Sequence, residues 1–217
     1  MSNEIASQTI SRMGTSPVIA SLLQMGLTPS RTLGAFRWHQ EVSVELFGLV
    51  GIVELALRTT INEQMQGRHR ESFGDGLWFD RAGDFLDIHG VRDIEVARSR
   101  LRAKRREATS DRLVAELNFG FWRYLLSNRY RTILWPTLRR GFPHIPTGSE
   151  KTLFSRVGRI HDLRNRIAHH EPIFGRRLDL DHRDCLLVLG AVCPVTARWV
   201  EGISRIPEVL ANTPLLR

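Results

Sequence analysis

Apolar residues recur along this chain at three- and four-residue spacings and almost never alternate, a pattern that predicts helices and argues against strands. Residues 1 to 14 are polar and aperiodic and read as a frayed, flexible N-terminus. Pro17 to Leu27 is a short apolar helix candidate stopped near Gly26-Leu-Thr-Pro29, where Ser30 can cap the next element. From Arg31 to Gln66, Val44, Phe47, Val50, Ile52, Leu55, Leu57 and Ile61 mark one long helix or two abutting ones, with Gly48 and Gly51 at a bend or close contact. Gly67 to Gly90 mixes glycines and aspartates with Phe73, Trp78, Phe79 and Phe85 and reads as a loop held by aromatic side chains. A basic helix is predicted over Val91 to Ala108. Ser110 or Asp111 then stands where an N-cap belongs, ahead of Leu113 to Leu117. Asn118 to Trp122 interrupts the pattern as an aromatic turn, and Arg123 to Arg140 resumes it.

Pro143 and Pro146 break the chain between Gly141 and Gly148, and Thr147, Gly148 or Ser149 can start a helix that ends near Pro172. A last helix over Asp181 to Gly202 sets Leu186, Leu187, Leu189, Val192 and Trp199 on its apolar side, with Pro194 kinking or shortening it. The sum is an all-α bundle, a single helical domain over residues 15 to 217.

Composition narrows the class. A chain of 217 residues that is 42% hydrophobic can bury a core of ordinary size. Cys185 and Cys193 lack the spacing of a disulfide framework or a zinc site. No stretch approaches the roughly 20 apolar residues of a membrane span and no signal peptide is evident, so the expectation is a cytoplasmic protein with no membrane partner. The net charge of +8 favours a polyanionic partner, RNA first. Nearly all of that positive charge is arginine, since Lys104 and Lys151 are the only lysines. Arginine suits bidentate phosphate contacts and stacking on bases. Arg98, Arg100, Arg102, Lys104, Arg105 and Arg106 crowd the basic helix and are the candidate RNA-binding set, a solvated helix face being the plainer alternative.

The chemistry concentrates just before Pro172. At about 100° per residue, Phe154, Val157, Ile160, Leu163, Ile167 and Ala168 share one broad face, and Arg164 falls within it. A guanidinium there needs a carboxylate, a carbonyl or a bound phosphate; Glu54, amid Val53, Leu55 and Leu57, is the candidate partner. Glu54 and Arg58, four apart, also suit an intrahelical pair. His169 and His161 each lie four residues from Asn165, whereas Arg164 and His169 point about 140° apart in a straight helix. A distorted last turn at Pro172 and a second protomer can therefore make a composite groove. A histidine can take the proton of a ribose 2′-hydroxyl and a second can protonate the departing 5′-oxygen. Arginine can stabilise the charge of the phosphorane, and Asn165 can orient a ring or hold a phosphate oxygen. The internal nucleophile requires no metal and no cofactor, and a metal site from His161, His169 and His170 lacks suitable spacing. A helix-capping role for His169 and His170 is the plainer reading.

Leu163-Arg-Asn-Arg-Ile-Ala-His-His-Glu-Pro-Ile173 resembles the signature of the Abi-like (abortive infection) family of the HEPN superfamily, and Arg164 to His169 matches the HEPN pattern itself. Leu113 to Trp122 and Glu54 to Arg58 resemble other blocks of that family, so the likeness spans roughly Phe36 to Trp199. It implies a HEPN-like helical bundle, a dimer-assembled ribonuclease site and a toxin-like role in phage defence. On this reading Arg164, Asn165 and His169 are catalytic, with His170, Glu171, Glu54 and Arg58 in support. The partners are RNA, a second copy of the chain, and an antitoxin or small structured RNA. The alternative is a non-catalytic RNA-binding or RNA-guided HEPN module.

Overall fold

The computed structural model describes residues 3–146 and 148–216; Met1, Ser2 and Thr147, the last a candidate helix start, lie outside them, as does Arg217. The fold is all-α, with eleven α-helices and no strand among the described residues. In chain order these are α1 (Asn3–Arg12), α2 (Pro17–Gln24), α3 (Pro29–Phe73), α4 (Ile88–Ala103), α5 (Ser110–Glu116), α6 (Phe119–Leu125), α7 (Trp135–Leu138), α8 (Glu150–Ala168), α9 (Leu178–Val192), α10 (Pro194–Ile203) and α11 (Ile206–Ala211). Among the described residues no helix is long and apolar enough to cross a membrane. By its internal contacts the chain forms two compact units: residues up to Gly51 with Arg159–Leu187 and the stretch from Ala197 onward, and Ile52–Gly158 with Val188–Thr196. Because α3, α8, α9 and α10 each supply residues to both units, no linker composition marks the division.

The first unit buries Val18, Leu22 and Ala35 against Leu27, Phe36, Phe174 and Leu215. Residues 3 to 12, expected to fray, form α1 because Ala6 and Ile10, four apart, give even this polar stretch one buried stripe. Ser30 lies inside the first turn of α3 instead of capping it, and its hydroxyl bonds to Asn3 Oδ1 at 2.8 Å. Pro29 starts that helix, where its missing N–H costs nothing. Trp38 donates its indole N–H to the Val209 carbonyl at 2.8 Å, tying α3 to α11. Val44, Phe47 and Leu55, which belong to the apolar pattern of this helix, are exposed, Val44 by 70% and Phe47 by 44%. The last expected helix is two, α9 and α10, broken at Pro194, and Trp199 and Leu187 point outward. Within this unit, α9 buries Asp181, Asp184 and Cys185.

In the second unit α3 continues seven residues past Gln66 to Phe73, and the aromatic stretch after it is a short 3-10 segment from Trp78 to Asp84. Trp78 is fully buried, donates to Asn62 Oδ1 at 2.9 Å and stacks on Phe79. The basic helix ends at Ala103, five residues early, because Arg105 turns left-handed (φ 52°) and Arg106 N–H bonds back to the Leu101 carbonyl. Thr109 occupies the N-cap position of α5, one residue before the expected cap. Asn118 Oδ1 accepts from Phe121 N–H at 2.9 Å, so the presumed aromatic turn starts α6, whose Phe119, Phe121 and Trp122 are all buried. The expected helix over Arg123 to Arg140 breaks into α7 and short 3-10 turns around Pro136. Gly141 is obligatory: a Cβ there would overlap Thr60 Cγ2.

A polar knot closes this unit. Asp87 caps α4 through Gly90 N–H, accepts from the Tyr124 hydroxyl at 2.9 Å and pairs with Arg129. Burial alone would raise its pKa, but the bonds from Gly90, Tyr124 and Tyr130 and the Arg129 charge outweigh it and hold the carboxyl at about 2. A folded-state value below the ordinary 3.8 means that the carboxylate stabilises fully above that ordinary value and loses its contribution as pH falls through about 2. Asp87→Asn is therefore expected to be less stable than wild type at pH 6, with the gap closing as pH falls from 4 towards 2. Urea unfolding across that range measures it, and a gap independent of pH would refute the assignment.

Candidate functional site at the end of α8

The helix that carries the motif is built by Leu153, Val157, Ile160 and Leu163, which are all buried and recur every three or four residues. Glu150 in its first turn and Arg166 in its last complement the helix dipole. Pro172 does not stop the helix. It ends in a Schellman turn two residues earlier, with His170 N–H on the Ile167 carbonyl at 3.0 Å and Glu171 N–H on the Arg166 carbonyl at 2.8 Å. Arg166 and Glu171 close the same turn by an ion pair at 3.6 Å, which gives Glu171 a structural role.

The turn requires a left-handed residue, and His170 occupies that place with φ 55°. Glycine takes this conformation without strain, whereas a side chain there costs about 1 kcal/mol. His170→Gly is therefore expected to be more stable than His170→Ala by about 1 kcal/mol, since both lose the imidazole and differ only in backbone freedom. Equal urea midpoints for the two variants would show that the turn carries no strain.

Arg164 is half-buried, and among the described residues its hydrogen bond is to Asn165 Oδ1 at 3.4 Å, with no carboxylate in ion-pair range. The carboxylate expected for it is not found in its own unit. Glu54 belongs to the other unit, where both it and Arg58 are half-buried and form no ion pair among the described residues. The pair expected from their spacing is not formed, and such a pair would contribute only about 0.2–0.5 kcal/mol. Asn165 also donates through Nδ2 to His161 Nδ1 at 3.4 Å. The amide thus links the guanidinium of Arg164 to the ring of His161, which itself lies 3.6 Å from Asp162 Oδ1. His169 follows one turn after Asn165, its N–H on the Asn165 carbonyl, with its side chain exposed. Within one chain, therefore, Arg164, Asn165 and His161 are in contact, and His169 and His170 stand at the open end of the helix.

His39 is the residue that periodicity does not reveal. It is only 2% exposed, its Nε2 accepts Ile173 N–H at 3.3 Å, and its ring meets Phe174 edge-on. It pins the segment just after the motif to α3. Burial lowers its pKa, offset in part by the Glu171 backbone carbonyl, and acceptance at Nε2 is the bond of a neutral ring. The available signal is a histidine between Trp38 and Val42, two core positions. Beside it a cleft of about 320 Å³ separates Ser43, Val44 and Phe47 of α3 from Ile167, Ala168 and His170. Its walls are mostly apolar, Gln40 and His170 also line it, and the buried Ser43 hydroxyl in it has no hydrogen-bond partner among the described residues.

The basic run lies in the second unit and divides into two classes. Arg98 pairs with Asp80 and Glu95, and Lys104 pairs with Glu116, so the charges of these two expected RNA contacts are already met inside the unit. Arg100, Arg102, Arg105 and Arg106 are exposed and form no ion pair among the described residues. No group of three or more metal-ligating side chains comes together among the described residues.

No family model matches the chain, and neither the curated proteins nor the solved structures give a match.

Proposed function

We propose that the chain is a HEPN-type endoribonuclease of the Abi-like kind, which cleaves RNA through attack of the ribose 2′-hydroxyl and acts as a toxin-like effector in phage defence. The observation that carries this reading is Arg164: a half-buried guanidinium with no carboxylate in ion-pair range among the described residues, bonded to Asn165, which lies one turn before an exposed histidine. A cation in that state gains from a phosphate. His169 has the solvent access that proton transfer to or from a strand needs. Asn165, bonded on one side to Arg164 and on the other to His161, orients both. The 2′-hydroxyl supplies the nucleophile from within the substrate, so the residues have only to move protons and stabilise charge.

A homodimer accompanies the reading. Val44 and Phe47 are exposed beside Gly48 and Gly51 on α3 and wall the cleft at the end of α8. A second copy covering this face would bury apolar area and bring a second His169 towards the first Arg164. An antitoxin or small structured RNA would act by occupying the same face. The test is cleavage of a defined RNA by the purified chain in excess chelator, with 2′,3′-cyclic phosphate and 5′-hydroxyl ends as the expected products. Other end chemistry, or no cleavage at any concentration, would sink it.

The second reading, an RNA-holding module without catalysis, is favoured by the exposed Arg100, Arg102, Arg105 and Arg106. On that reading, reversing those charges abolishes RNA binding and function, whereas His169→Ala changes neither.

A further inference from the structure

We propose that the cavity between α6 and the start of α8 is a binding site for a phosphorylated nucleotide, separate from the motif at the other end of α8. The cavity has a volume of about 510 Å³ and lies wholly within the second unit. That volume is in the range of small-molecule sites and far above the needs of a bare anion. Two of the chain's cations, Arg123 and Lys151, line it, and no carboxylate does. The exposed Lys151 gives the pocket a positive charge that suits an anion. Lys151 forms no ion pair among the described residues.

The other walls suit the rest of a nucleotide, and each is held from behind. Phe154 presents a ring whose edge contact with Trp135, at 5.2 Å between centroids, fixes its angle. Tyr124 is fixed by its hydroxyl bond to Asp87, so its ring and not its hydroxyl is what it offers to the cavity. Ser127 lines the same space with a hydroxyl that is buried and has no hydrogen-bond partner among the described residues. An unmet buried hydroxyl costs free energy that a phosphate or ribose oxygen would recover. Asn128 adds an exposed amide. Finally, Gly158 lies beside Arg123: a Cβ there would stand 3.4 Å from Nη2, in van der Waals contact with the guanidinium. The base would lie against Phe154 and Tyr124, with the phosphate between Lys151 and Arg123.

The ligand could be a free nucleotide or the phosphorylated end of a strand, since both offer the same chemistry. Titration calorimetry of the full chain with the four nucleoside 5′-monophosphates, the matching nucleosides and inorganic phosphate tests the site without any appeal to cleavage. At least one monophosphate is expected to bind, with the nucleoside and inorganic phosphate each about tenfold or more weaker. Lys151→Glu, at an exposed position, is expected to weaken binding about tenfold to a hundredfold, and Ser127→Ala and Gly158→Ala by smaller factors. Circular dichroism shows whether each variant is folded. A 2′-O-methyl hexanucleotide with a 5′-phosphate separates the sources: tighter binding than the monophosphate assigns the site to a strand end, weaker binding to a free nucleotide. The proposal is overturned if no monophosphate binds better than inorganic phosphate, or if folded Lys151→Glu binds as wild type does. Because the readout is binding, either result leaves the ribonuclease reading to stand or fall on its own test.

Discussion

Replacing His169 by alanine is expected to lower RNA cleavage by about 10²–10⁴-fold with no change in the urea midpoint, because the side chain is exposed and bonds to nothing that holds the fold. Arg164→Ala is expected to lower it by about 10²–10³-fold, the usual loss for one group that stabilises developing charge. Arg164 lies near the end of α8 and His169 just past that end, and the two are not in contact, so the two side chains of a working site are best supplied by different copies. Complementation reads this directly. When Arg164→Ala and His169→Ala chains are unfolded together and refolded, half of the dimers are mixed, and each mixed dimer holds one intact site and one doubly altered site. Recovery of about a quarter of the wild-type rate is expected for a twofold assembly. No recovery from two folded, dimeric variants would place both groups in a single chain, and an unchanged rate in His169→Ala alone would remove the histidine from the chemistry.

The motif is legible in the sequence because it depends on short-range spacing. Asn165 reaches His161 across one turn, a contact that follows from helical geometry, whereas its bond to the adjacent Arg164 does not. The all-α class is legible for the same reason, since three- and four-residue periodicity is a local property. What the spacing does not carry is which face of a helix is covered. Val44 and Phe47 belong to the apolar pattern of the long helix and are exposed, whereas the charged Asp181 and Asp184 are buried. A hydrophobic residue is counted alike whether its own chain covers it or a partner does, and a buried carboxylate is recognisable only through the distant arginine that neutralises it. Helix ends were the other weak point. Both α4 and α8 stop where an arginine or a histidine turns left-handed without a glycine, so the usual stop signal is missing at the two places where it matters most.

Those buried carboxylates define the largest stability effect. Asp181→Ala is expected to destabilise the chain by about 3 kcal/mol, near the lower end for breaking a buried ion pair because the Arg176 side chain keeps 23% exposure. Asp181 receives Arg176 Nε at 2.9 Å and Nη2 at 2.7 Å, one nitrogen on each oxygen. The hydrogen bonds that this carboxylate accepts, more than any other influence, raise the Arg176 pKa against the effect of burial; without its partner the guanidinium is still a cation, because arginine is always charged. Arg176 also donates to the Arg159 carbonyl at 3.4 Å, and Arg159 grips Asp184 through two nitrogens, so the loss extends along a linked set. The double variant Arg176→Met, Asp181→Leu is expected to recover most of the stability, because apolar side chains need no partner. Cys185 gives a second readout. Burial first, and then the charges of Asp181 and Asp184, push its thiol well up, so it reacts only when the structure opens. In a Cys193→Ser background its labelling should accelerate about 150-fold in Asp181→Ala, the ratio that corresponds to about 3 kcal/mol, and return towards the wild-type rate in the double variant. A midpoint within about 0.5 kcal/mol of wild type for Asp181→Ala would show that the pair is one of the many ion pairs that contribute little.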